Sequence, residues 1–206
     1  NVVVFEMAGR LCCYNATSNS LIVLFSFYDE KNWDDRTLRQ DHDLKILDVD
    51  EGGNIRFAVY GYMNRGRHEG EVGIQLYTYN SMVNTIEELV FIDYDNNFDA
   101  LATELEQLLY LNREDILYLK LENTIYQVNL MEKAYKELVT VTGDDSLFVS
   151  GDHKIAVWQE GEDQYHSRQL TVMNLNAGTQ NVIKAGANEV IRPLGFMGED
   201  LIYGVA

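Results

Sequence analysis

Apolar and polar residues alternate in short runs along most of the chain, with the period of two expected of strands rather than the 3.6 of a helix. NIRFAVYGYM from Asn54, LYLKLENTIYQVNL from Leu117 and KIAVWQE from Lys154 are examples, and Gly, Asn and Asp separate the runs. The runs repeat. Val3–Phe25 overlies Leu117–Val141 at an offset of 114 residues, with Asn15 falling on Asn129. Both segments read strand, tight turn, strand, short turn, strand. A third copy spans Lys154–Ile183 and a fourth Asn54–Phe91. With Tyr79, Leu130 and Leu175 as matching points, the spacings are 51 and 45 residues.

Propeller blades repeat at about 40–50 residues. Each unit is preceded by a short strand and a turn, so the predicted blade is a four-stranded antiparallel meander, A-B-C-D. LKILDVD leads through Glu51-Gly52-Gly53, LLYL through Asn112-Arg113-Glu114, and SLFV through Gly151-Asp152. The expected blades are 2–28 (partial), 44–92, 108–141, 146–184 and 190–206 (partial). The predicted fold is all-β, a β-propeller fragment of four to five blades within one domain or part of one. It is expected to be incomplete at both ends, because the first blade lacks strand A and the last stops after B. A five-bladed ring with a swapped strand is the alternative. One helix is predicted between the second and third blades, where Phe98, Leu101, Leu105 and Leu108 fall at helical spacing.

This strand rhythm resembles the TolB-type and tryptophan–aspartate-repeat superfamily of β-propellers, in particular extracytoplasmic propeller proteins of Gram-positive bacteria. The resemblance covers essentially the whole chain as rhythm, while the linked Gly-His…Trp-Asp signature of a repeat is absent. It implies a scaffold for binding and no shared chemistry. It also implies an extracytoplasmic or cell-envelope location in a bacterium, with the cytoplasm left open.

Composition narrows the partners. The chain of 206 residues carries a formal net charge of −17. Nucleic acid and anionic membrane surfaces require clustered Lys and Arg, so both are set aside. No apolar run is long enough to insert into a bilayer. Cys12 and Cys13 are the two cysteines and are adjacent. Neighbours on a strand point to opposite faces, so they are expected to be free thiols. Asn15-Ala16-Thr17 matches a glycosylation sequon inside a strand pattern.

Strands run up and down within a blade, so B–C and D–A connections share one end. Every long connection falls there: 29–43, 64–70, 93–107 and 161–167. These loops hold Trp33, Arg36, Arg65, Arg67, His68, Tyr165 and His166, residue types that anchor interfaces. They form the expected face for a protein or glycan partner. Loops that merely pack on neighbouring structure are the competing reading.

Catalytic and metal patterns are sparse. Asp93, Asp95, Asn97, Asp99 and Glu104 occupy positions 1, 3, 5, 7 and 12 of a calcium-loop pattern. Phe98 stands where that loop needs Gly, and a capped helix start with acidic residues near its positive end accounts for the same residues. Calcium is therefore the one cofactor considered; otherwise none is expected. The four His show no metal-ligand spacing, and there is no G-x-S-x-G, Walker or G-x-G-x-x-G pattern. Trp158 reads as core. The expected function is a non-enzymatic binding or scaffold module. The alternatives are a carbohydrate-active or other hydrolytic enzyme with a site in the propeller channel, and a structural spacer.

Overall fold

Antiparallel sheets follow one another along the chain in a computed structural model, which describes residues 2–29, 41–141, 147–159 and 165–206. Sheet 1 has the order β1 (Val2–Met7), β2 (Arg10–Asn15), β3 (Ser20–Ser26). Sheet 2 contains β4 (His42–Val49), β5 (Ile55–Tyr62), β6 (Val72–Asn80) and β7 (Thr85–Asp93). Helix α1 (Phe98–Gln107) comes next. Sheet 3 is β8 (Leu109–Leu111), β9 (Ile116–Leu121), β10 (Thr124–Asn129) and β11 (Ala134–Thr140). Sheet 4 is β12 (Leu147–Val149), β13 (Ile155–Gln159), β14 (Gln169–Asn174) and β15 (Thr179–Lys184). Sheet 5 is the hairpin of β16 (Ile191–Met197) and β17 (Asp200–Val205). Pairing joins consecutive strands only, so each sheet is an up-and-down meander. This is the blade unit of a β-propeller, and the fold is all-β of that type with one short helix. The chain gathers into two compact units, Asn1–Thr103 and Glu104–Ala206.

The turns explain why the strands end where they do. In the turn after β2, Asn15 Oδ1 accepts the N–H groups of Thr17 and Ser18 at 2.9 and 3.2 Å. Asn80 does the same for Met82 and Val83, and Asn129 for Met131 and Glu132. Asn174 accepts from Ala177 at 2.9 Å. The fifth residue of each turn is left-handed: Asn19 (φ 49°), Asn84 (53°), Lys133 (53°) and Gly178 (65°). An Asn side chain that mimics a backbone turn, followed by one left-handed residue, returns the chain for the next strand. This common turn corrects the register read from the sequence. Asn80, Asn129 and Asn174 are equivalent, at spacings of 49 and 45 residues. The counterpart of Leu130 and Leu175 is therefore Ser81, and Tyr79 corresponds to Val128.

Within each unit, consecutive sheets pack through their apolar faces. In the first, Leu11, Phe25 and Phe27 of sheet 1 and its flank meet Leu44, Ile55, Phe57 and Val59 of sheet 2. Phe57 and Tyr77 stack at 5.1 Å between ring centroids, and Phe25 leans on both. Burial pushes the Tyr77 hydroxyl well above the usual phenol range, with Glu88 adding to the shift. In the second unit, Ala156 and Trp158 join the cluster of Tyr118, Ile125 and Met173, while Val157 joins Leu170 and Ile191. Alternate residues of β13 thus serve opposite faces, so the strand reads IAVWQ, an almost continuous apolar run. Asn112 ties the third sheet to the fourth. Its Oδ1 accepts from Glu114 and Ile116, and its Nδ2 donates to the Leu175 carbonyl. Cys12 is buried, Cys13 half-buried, and both are free thiols.

The turn geometry sets the expected effect of changing it. Asn129→Ala should destabilise the protein by about 1 kcal/mol in urea unfolding. Lys133→Gly should stabilise it by about 0.5–1 kcal/mol, because glycine adopts the left-handed conformation without penalty. A pH dependence is expected from the start of β4. His42 stacks on Phe27 at 3.2 Å between centroids, and burial holds its imidazole down at about 4 against the upward pull of Asp43 and Asp41. The unfolded chain takes up this proton near pH 6.5, whereas the folded chain resists until about pH 4. Stability should therefore fall as pH drops from 6.5 towards 4 and level off below. His42→Gln should flatten that part of the urea-midpoint profile.

Candidate functional site

The best-defined long connection is residues 63–71, between β5 and β6. Its base is closed by backbone hydrogen bonds from Met63 N–H to the Glu71 carbonyl and from Gly70 N–H to the Met63 carbonyl, at 2.9 and 2.8 Å. A further turn inside it brings Glu71 N–H to the His68 carbonyl. The loop is also fixed from beneath. A Cβ at Gly73 would collide with the Ile92 carbonyl and the Phe91 ring, so glycine lets that ring lie across the strand. His68 stacks on Phe91 at 3.8 Å between centroids and 14° between planes. Its Nδ1 meets Glu71 Oε2 at 2.8 Å. His68 is therefore a clamp within the loop, while Arg65 and Arg67 are exposed at its tip.

The structure thus brings Arg65, Arg67 and His68 together. Tyr165 and His166 are exposed in the β13–β14 connection of the second unit, where the Arg192 guanidinium lies 5.2 Å from the centroid of the Tyr165 ring. Trp33 and Arg36 lie outside the described residues.

The calcium pattern divides between other tasks. Asn97 caps α1, its Oδ1 accepting the Ala100 N–H at 3.0 Å, and Asp99 stands in the first helical turn. Glu104 reaches the fully buried Lys120, with Oε2 and Nζ 2.6 Å apart. Asp93 ends β7, and it and Asp95 are exposed. Among the described residues no group of three or more His, Cys, Asp or Glu is placed to hold a metal ion. The pairing of Lys120 with Glu104 escapes sequence reasoning. In LYLKLE a lysine reads as solvent-facing, and its partner lies sixteen residues earlier, on the helix.

No protein-family model matches the chain, and no curated protein sequence matches it. Solved structures do. TolB from Acinetobacter baumannii is 12% identical with a TM-score of 0.41, over 89% of this chain and 40% of that one. An oligogalacturonate lyase in complex with manganese is 13% identical with a TM-score of 0.37, over 84% of this chain and 41% of that one. Dipeptidyl peptidase 4 from Porphyromonas gingivalis is 11% identical with a TM-score of 0.43, over 99% of this chain and 34% of that one. The chain spans about two fifths or less of the length of these proteins.

Lys120→Ala would leave Glu104 facing a cavity without its cation. It should cost about 3 kcal/mol in chemical unfolding, and the double variant Lys120→Met with Glu104→Gln should recover most of that loss.

Proposed function

We propose that the protein is a non-enzymatic binding module that offers the 63–71 loop to an anionic partner, an acidic glycan or an acidic protein segment. One observation supports this above others. Two exposed arginines stand on a loop held rigid by hydrogen bonds and by the His68–Phe91 stack, in a chain of net charge −17. Arginine forks suit carboxylate and sulfate groups, and a loop already ordered loses little entropy on binding. The surrounding negative charge discourages nucleic acid and other long polyanions, which favours a short, local anionic determinant. The fold suits a scaffold carrying variable loops. We place the protein in the TolB-type superfamily and outside the cytoplasm, on the strand rhythm alone.

The test is retention on immobilised uronate and sulfated oligosaccharides and on acidic peptides, at fixed salt. Arg65→Ala with Arg67→Ala should weaken retention by about tenfold or more and leave the melting temperature within a degree or two. Retention unchanged by the double substitution would remove the loop from the reading. Gly73→Ala should weaken the same binding by displacing Phe91, with both arginines still present.

A further inference from the structure

The turn between β2 and β3 combines two features that the equivalent turns lack, and neither involves the 63–71 loop. The first is chemical. The four Asn turns carry Thr17, Met82, Met131 and Asn176 at their third positions, so Asn15-Ala16-Thr17 alone reads Asn-x-Thr. No other Asn of the chain has Ser or Thr two residues on. Asn15 Oδ1 is engaged by the turn, accepting from Thr17 and Ser18, while Nδ2 takes no part in it and reaches solvent. Ala16, Thr17 and Ser18 are exposed. The second feature is the strand that follows. β3 is the outer edge of sheet 1, as β7, β11 and β15 are of theirs. Those three carry charge: Glu87 and Glu88 on β7, Lys136 and Glu137 on β11, Lys184 on β15. β3 reads SLIVLFS and carries none. Charged side chains, lysine above all, keep an open edge from pairing with another chain.

We propose that Asn15 carries an N-linked glycan and that this glycan shields the uncharged edge of β3. Asn-x-Thr on a surface turn is the acceptor pattern for N-glycosylation. The donor is an oligosaccharide held on a polyprenyl diphosphate. Nδ2 bonds to the anomeric carbon as the bond from that carbon to the diphosphate oxygen breaks. Polyprenyl diphosphate leaves with the electron pair, and Nδ2 gives up one proton. Oδ1 is untouched by this exchange, so the turn keeps both of its hydrogen bonds. Asn15 pairs with Ser20 at the start of β3, and the strand extends from there at about 3.3 Å per residue. A glycan of several sugars at that point lies beside Leu21, Ile22 and Val23 and crowds out a second chain. In the other three sheets the same turn precedes a charged edge and has no hydroxyl at its third position. Such transfer serves proteins that leave the cytoplasm, so the proposal rests on the location proposed above. Transfer between purified components is read without it.

The 206-residue protein is incubated with a purified oligosaccharyltransferase and its polyprenyl-diphosphate oligosaccharide, and the product is read by intact mass and peptide mapping. One glycan is expected, on Asn15, with Asn80, Asn129 and Asn174 bare in the same molecules. Asn15→Gln and the near-isosteric Thr17→Val should each abolish transfer. The melting temperature of the glycosylated protein should stay within about a degree or two of the bare one, because the turn is intact. Agitated at equal concentration, the glycosylated protein should aggregate about tenfold more slowly by light scattering. Ile22 is more than half exposed, and Ile22→Lys in the bare protein should slow aggregation in the same way. Failure of Asn15 to accept the glycan overturns the proposal. So does transfer that survives Thr17→Val, a glycan on Asn15 that leaves aggregation unchanged, or an Ile22→Lys variant that aggregates as fast as its parent.

Discussion

No meander in this protein can bury both of its faces by itself, and the packing of sheet on sheet is the constraint from which the rest follows. β13 shows it most directly. Ala156 and Trp158 face one neighbour, Val157 the other, and the strand has no side left for water. A large apolar side chain contributes about 1.5–3 kcal/mol by leaving water, and the tilted and stacked rings of Phe25, Phe57 and Tyr77 add specific geometry. The strands nearest the sheet-on-sheet contacts are buried on both faces, while the outer strands β3, β11 and β15 stay largely exposed.

The 63–71 loop is built on a glycine. Gly73 has no Cβ, Phe91 lies over it, His68 lies over Phe91, and Glu71 holds His68. The rigid part lies beneath the loop and the charged part at its tip.

Much of the fold is legible in the sequence because strand alternation and Asn, Asp and Gly turns are local signals. Helical spacing over Phe98–Leu108 predicts the helix that lies at Phe98–Gln107. Trp158 reads as core and is 3% exposed. Matching Tyr79 with Leu130 is a two-residue slip, and it costs nothing on paper because apolar residues recur at every second position; the Asn side chains settle it. The site is harder to read. Loop length points to 64–70, but nothing local announces that His68 stacks on Phe91 and meets Glu71. The calcium pattern counts positions without regard to direction. Asn97 turns back on its own helix and Glu104 turns to a buried lysine, and both orientations depend on tertiary structure.

The recurring Asn turn has a consequence for how such a chain changes over generations. The instructions for reversing direction occupy five consecutive residues, with the left-handed fifth position filled by Asn, Asn, Lys or Gly. Strand residues between these points need only stay apolar and about the right size. Drift can therefore erase resemblance between copies while the hairpins keep closing at the same places. Whole units can also be duplicated or exchanged by recombination between turns, without new folding information having to arise.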